Sequence, residues 1–469
     1  MKTKLSLALS FFLSINAFYI SAQTNAKKNH DNESVSLYSE HDANHTCISA
    51  EEYKLLDETC LKNSKSPAQL SSQKNAVTTT LNWPLQAGNG LTDCSFYFIS
   101  AHVDQDFAAT TYKDYNCGTI TYDGHKGTDI AIGPFPFYKM DNNQVEVHAA
   151  AAGTIVQWHD GEFDRQCLNS GSSATANSII VQHADGSCAL YWHMKSGSLT
   201  SKAVGQTVVQ GEYLGVVGSS GSSSGPHLHF EVWSGNTSAT YNDPFSGSCN
   251  SLNASTWWAN QKPYTEPSIV KASVHTTDYV APACGVTETS NESTTYTIPF
   301  QGSGMTPDYA KFYIFIRNET NGSVANMQIL NPNSSVYNSW TSTSSATYNF
   351  SYKAWSKLLP TVQGTYTFQA TYNGISCAQS FDIINPSGIA EAANFKNLSV
   401  YPNPSSGKFK IDTGNNPETI VEVYNAIGEL VFKSDKNISE IDLSEKPKGI
   451  YILQMRSKEI KSFKKLILE

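Results

Sequence analysis

The chain is short of several things, and each shortage closes off a class of function. Basic residues are outnumbered, 32 Lys and Arg against 41 Asp and Glu, for a net charge of −9 over 469 residues. A nucleic-acid binder carries a basic patch or stripe, so no nucleic-acid partner is expected. Strongly periodic helical stretches are scarce, which leaves β structure as the dominant architecture. Only one long apolar run occurs, Leu5 to Ile20, and Ser10, Ser14 and Asn16 interrupt it. It falls short of the ~20 apolar residues that span a bilayer, so no transmembrane segment is expected in the mature chain. The nine cysteines never form a CxxC pair, and a thiolate zinc site is therefore not expected.

What is present sets the compartment first. Lys2 and Lys4 precede the apolar run, and Ser21 and Ala22 follow it before Gln23. A basic start, a short apolar stretch and a small-residue end make residues 1–22 a secretory signal peptide. An exported chain can keep disulfides. Paired by nearness, the cysteines give Cys47 with Cys60, Cys94 with Cys117, Cys167 with Cys188 and Cys284 with Cys377, leaving Cys249 over. Sequence leaves the connectivity open.

Four segments follow the signal peptide. Residues 23–80 are polar and read as a pro-segment or linker, with one helix over SAEEYKLLDETCLKN capped by Ser49 and Glu52. Residues 81–245 alternate short β-like runs with Gly, Asn and Asp turns. SIIVQH, ALYWHM, EYLGVVG and HLHFEVW are the clearest, and they suggest an antiparallel sheet. Residues 265–385 are Thr-, Ser- and Tyr-rich strands of an immunoglobulin- or fibronectin-like β-sandwich. In residues 396–469 the charge density rises, with 22 of 74 residues charged against 51 of the 395 before them, which marks a separate module.

The chemistry gathers in 81–245. GPHLHFEV at 225–232 puts His227, His229 and Glu231 on one face of a strand, and Leu228, Phe230 and Val232 on the other. Upstream, GHKGTDI carries His125 and Asp129, and YWHM ends in His193. An imidazole and a carboxylate close in sequence, joined by a distant histidine, form a three-ligand zinc set with a fourth position left for water. Neither motif is HExxH, so no glutamate is placed as general base.

Taken together, HxxxD, the strand-end YxH and GPHLHFEV resemble the lysostaphin-type zinc metallopeptidases, a family of glycyl-glycine endopeptidases and peptidoglycan hydrolases. NSIIVQHADG and AGTIVQW extend the resemblance, although Ala152 stands where the family commonly has Asp. The resemblance covers about residues 90–240. It implies Zn2+ held by His125, Asp129 and His229, with His193 and His227 as the catalytic pair, in an antiparallel-sheet metallopeptidase domain. Which of the two histidines acts as base stays open. Glu231 either orients a ligand histidine or stands exposed on its strand. Asn177 is expected to buttress the cleft. The loop GSSGSSSG at 218–225 is read as flexible, either rimming the cleft or serving as a plain linker. His102, His148, His159, His183 and His275 are read as surface or structural. His30, His41 and His45 lie in the polar pre-segment, where weak metal binding or blocking of the site is a minor alternative.

The last module resembles the sorting domain of Bacteroidetes type nine secretion. Val400, Tyr401, Pro402, Asn403 and Pro404 match its opening, Gly449 and Tyr451 its GxY strand, and Lys464 and Lys465 its basic ending. The resemblance implies passage through the periplasm and outer membrane to the medium or cell surface. The chain is thus expected to be mainly β: a metallopeptidase domain, a β-sandwich and a small C-terminal β-sandwich sorting domain. The function expected is a secreted zinc endopeptidase cutting at glycine, in peptidoglycan or in a Gly-rich protein. Its alternative is an inactive fold relative that binds peptidoglycan or another partner.

Overall fold

Alternation of β-branched and aromatic residues builds nearly every element. The structure is a computed structural model that describes residues 35–36, 47–65, 79–108, 110–167, 175–280, 287–297, 309–384, 399–412, 420–435, 438–457 and 460–469. The chain divides into two units, residues 1–383 and 384–469.

The central sheet of the first unit has eight strands. Its order is Tyr97–Ala101, Thr128–Ile132, His227–Trp233, Cys188–Trp192, Ser178–Gln182, Gly153–His159 and Thr207–Val208, with Tyr241–Asn242 pairing beside His227–Trp233. Every residue of the His227–Trp233 strand is buried, so both faces of the sheet are covered. One face sends Ile130, Ile179, Val181, Tyr191, Leu228, Phe230 and Val232 into the main core. This core also takes Trp258, with Trp257 and Tyr264 against it. The other face carries Ile180, Leu190, Trp192 and Trp233, which pack with Cys47, Ile48, Leu56 and Cys60. Those last residues belong to a segment containing the helix Ala50–Asn63, so that helix roofs the sheet face bearing the histidines. Its Ser49 and Glu52 form the capping box read from sequence.

Two details depart from expectation. EYLGVVG supplies a strand, Tyr213–Val216, but it joins a separate three-stranded sheet with Val145–His148 and Leu85–Ala87. The disulfides are Cys94–Cys377 and Cys117–Cys249, and Cys167 is also disulfide-bonded. Cys47, Cys60 and Cys188 are thiols instead. Pairing by nearness fails because a disulfide requires Cα atoms about 4.4–6.8 Å apart in space, and chain separations of 283 and 132 residues meet that here. The fourth expected pair is excluded by Cys377; Cys284 lies outside the described residues, as do His30, His41 and His45.

The rest of the first unit is a two-sheet sandwich. Ser268–His275, Tyr309–Glu319 and Tyr348–Leu358 face Thr295–Thr297, Ile375–Ile384, Gly364–Tyr372, Val324–Leu330 and Val336–Thr343 across a core of Phe312, Ile314, Trp355, Ile329, Phe368 and Phe381. The outer side of its first sheet packs Phe315 and Phe350 on Phe98 and Phe135. The second unit has a three- and a four-stranded antiparallel sheet around Phe409, Val421, Val423, Ile441, Leu453 and Leu466. No helix among the described residues is long and apolar enough to cross a membrane.

Candidate metal centre

Register brings the motif residues together. His229 pairs with Asp129 on one neighbouring strand and with Trp192, the residue before His193, on the other. His125 sits in the turn leading into Thr128–Ile132, after Gly124, whose positive φ of 73° suits a residue without Cβ. Gly127 leaves room for the ligand ring, because a Cβ there would stand 2.7 Å from His229 Cε1.

Three donor atoms converge. His125 Nε2 lies 3.2 Å from Asp129 Oδ1 and 3.1 Å from His229 Nδ1, and His229 Nδ1 lies 2.8 Å from Asp129 Oδ1. Ligand atoms about 2.0–2.1 Å from a tetrahedral zinc stand roughly 3.3–3.4 Å apart, so this set closes around zinc with a small expansion. The outward nitrogens are engaged as ligand histidines require. His125 Nδ1 donates to the His102 carbonyl at 2.7 Å, and His229 Nε2 meets Glu231 Oε1 at 2.9 Å. Glu231 is fully buried and also accepts from Trp233 Nε1 at 2.6 Å, so it does not stand exposed on its strand.

Charge balance says the same. Burial pushes Asp129 up, but the His125 imidazole beside it holds its carboxyl well below the usual range. Burial pushes His125 down, and the Asp129 carboxylate reverses this to about 9. The buried cluster stabilises opposite charges against one another, and a divalent cation fills that role directly.

His193 and His227 stand beside the three donors, with ring centroids 4.5 Å apart. The His193 backbone lies in the left-handed region, φ 67°, which is costly for a residue with a Cβ and recurs at functional sites. Asn177 anchors that corner, donating through Nδ2 to the Met194 carbonyl at 3.0 Å. The 218–225 loop rims the histidines, one of its two sequence readings, and is not a plain linker: Ser219, Ser220 and Ser223 are buried. Its Ser220 carbonyl accepts from His193 Nδ1 at 2.5 Å, and its Gly225 carbonyl accepts from His227 Nδ1 at 2.8 Å. Both rings therefore turn Nε2 inward, where neither finds a hydrogen-bond partner among the described residues. Burial beside His227 takes His193 down to about 4; burial also lowers His227, but the Asp129 carboxylate, Cys47 and the Gly225 carbonyl together raise it overall.

The other described histidines make local contacts. His148 and His159 pair with Glu146 and Glu162, His183 and His275 bond to Ala152 and Ser273, and the His102 ring packs among Tyr115, Phe245 and Tyr264. Sequence reasoning missed His102, Ser220 and Gly225, which act through backbone carbonyls and carry no side-chain signature. It also missed Cys47, whose sulfur enters the donor cluster although no CxxC motif announced a thiolate. Burial raises the Cys47 thiol, and the His229 charge with the neighbouring rings of His125, His193 and His227 brings it well below the ordinary thiol range.

Residues 123–242 match Peptidase family M23, and residues 399–469 match the Secretion system C-terminal sorting domain. Among curated proteins, the chain is 33% identical over 91 residues to the cell division protein DipM of Caulobacter vibrioides, covering 19% of this chain and 14% of that protein. It is 47% identical over 56 residues to the DD-carboxypeptidase/endopeptidase Mpg of Neisseria meningitidis, covering 12% of each. The chain thus spans about an eighth of the length of these relatives. Among solved structures, the catalytic domain of lysostaphin from Staphylococcus simulans is 25% identical with a TM-score of 0.19, over 26% of this chain and 76% of that one. A zinc-containing peptidase from Vibrio cholerae is 18% identical with a TM-score of 0.24, over 38% and 41%. M23 peptidases are zinc-dependent, and the converging donor set fits that ion. The sorting domain marks the chain for type nine secretion to the surface or medium.

Proposed function

We propose that the M23 peptidase domain of this chain is a secreted zinc endopeptidase, with His125, Asp129 and His229 as zinc ligands and His193 and His227 as the catalytic pair. The observation that carries the reading is the convergence of three donor atoms within 3.2 Å of one another beside two inward-facing imidazole nitrogens. When bound, zinc supplies a Lewis acid that polarises the scissile carbonyl and brings a water within reach of deprotonation near neutral pH. The protein's own groups do the rest. His102 and Glu231 hold the two ligand rings in their metal-facing orientation. Ser220 and Gly225 lock Nδ1–H on His193 and His227, which leaves Nε2 of each to accept or deliver a proton at the reacting atoms. All five side chains are present, which supports an enzyme over an inactive binding relative.

The substrate is a peptide in peptidoglycan or a Gly-rich protein, cut at glycine. The loop 218–225 stands against the two histidines through its Ser220 and Gly225 carbonyls, and a substrate residue with no Cβ lets its backbone come close beside them. Pentaglycine, a Gly-rich elastin fragment, crosslinked muramyl stem peptides and casein would be offered in parallel and the cut bond located by mass spectrometry. A glycine-containing bond should be cut fastest; cleavage confined to bulky casein sites would remove the glycine specificity. Elemental analysis should find one zinc per chain, lost in His125→Ala and Asp129→Ala.

A further inference from the structure

The donor cluster holds one atom more than peptide hydrolysis needs. Cys47 Sγ lies within 4.8 Å of a donor atom on each of His125, Asp129 and His229, and equally close to a ring nitrogen of each of His193 and His227. The same sulfur sits 2.8 Å from the Tyr122 hydroxyl. It therefore occupies the space between the three metal-facing donors and the two catalytic rings, where a substrate carbonyl would have to enter. The second observation concerns the two rings themselves. His193 Nε2 and His227 Nε2, on rings 0% and 6% exposed, point into that same space with no hydrogen-bond partner among the described residues. Groups so buried and unsatisfied are costly unless something sits between them.

We propose that Cys47 is the fourth zinc ligand and that residues 47–63 form a built-in plug which keeps the peptidase latent. This rests on His125, Asp129 and His229 being the zinc ligands. Three protein ligands leave one position open, and a thiolate is among zinc's preferred donors. On ligation the thiol gives its proton to solvent; on release it takes one back, and no bond in the chain breaks. The plug is anchored on both sides of the sulfur's reach. Tyr53 donates to Glu231 Oε1 at 2.5 Å, the carboxylate that orients His229. Asp57 accepts from Ser238 N and Oγ at 2.6 and 3.0 Å, and Lys126 lies 4.2 Å over the Tyr53 ring. Ile48, Leu56 and Cys60 close over Tyr122, Val156, Trp192 and Trp233. The consequence is visible in exposure: the five site residues are 6% exposed or less, so no peptide reaches them until this segment lifts.

The test uses the full-length zinc-loaded protein beside Cys47→Ser and Cys47→Ala. Zinc K-edge X-ray absorption of the wild type should contain a sulfur neighbour at about 2.3 Å, and both variants should lose it while keeping zinc by elemental analysis. Hydrolysis of pentaglycine and of purified peptidoglycan should rise about tenfold or more in the variants, because turnover scales with the fraction of molecules whose site is open. Zinc without a sulfur neighbour in the wild type overturns the ligand assignment, and that measurement needs no variant to fold. A sulfur neighbour with equal hydrolysis by all three proteins overturns latency. Zinc absent from all three removes the metal-site reading itself, an outcome distinct from the other two.

Discussion

His229 and His125 reach the donor cluster through different nitrogens, Nδ1 and Nε2, because different neighbours claim the other one. Glu231, two residues along the same strand face, takes His229 Nε2, and the His102 carbonyl takes His125 Nδ1. His193 and His227, the proposed catalytic pair, are oriented in the same way. A backbone carbonyl accepts from each Nδ1, as the His102 carbonyl does for His125, and the Nε2 atoms of both rings find no hydrogen-bond partner among the described residues, which suits proton transfer. His193→Ala and His227→Ala should therefore keep about one zinc per chain and lose roughly 10²–10⁴ in turnover, the range for removing an acid–base group. Zinc content measured beside kcat decides it. Loss of metal in either variant, with circular dichroism unchanged, would exchange ligand and catalyst.

Among the elements, legibility follows locality. HLHFEVW reads as a strand because alternation is a period-two property of adjacent residues, and its histidine face comes with it. Ser49 and Glu52 read as a helix start for the same reason, since the reciprocal cap spans three residues. The position of Cys47 between the five site residues depends on a contact across nearly eighty residues or more and leaves no local trace. GSSGSSSG leaves two readings open because small polar residues suit both a loose linker and a loop whose carbonyls must approach two imidazoles closely. The helix also offers a measurable lever. Removing an N-cap hydroxyl costs about 1 kcal/mol, so Ser49→Ala should speed amide exchange across Glu52–Cys60 by about fivefold. Hydrogen-exchange mass spectrometry reads this directly. An unchanged rate would mean that packing on Trp192 and Trp233 holds the helix without help from its cap.

At the scale of the molecule, the two units divide labour. Residues 1–383 hold the donor cluster, and within them the sandwich is bound to the catalytic sheet by the Cys94–Cys377 disulfide and by the stack of Phe98 on Phe350, 4.5 Å between ring centroids. Residues 384–469 close their own core around Phe409, Val421, Val423, Ile441, Leu453 and Leu466, and none of these residues belongs to the catalytic core. A unit with its own core can be removed without exposing the other's apolar interior. Deleting 396–469 should therefore leave hydrolysis in a lysate unchanged, since every donor and every carbonyl that orients one lies before residue 232. Location should change instead. If residues 1–22 act as the signal peptide expected from the sequence, the chain still enters the periplasm but stops there without the sorting domain, so the truncated protein should collect in the periplasmic fraction of the native host and vanish from the medium. Fractionation followed by immunoblotting separates the outcomes. Normal appearance in the medium would show that export reads some other part of the chain, and lost lysate activity would show that the catalytic unit leans on the tail.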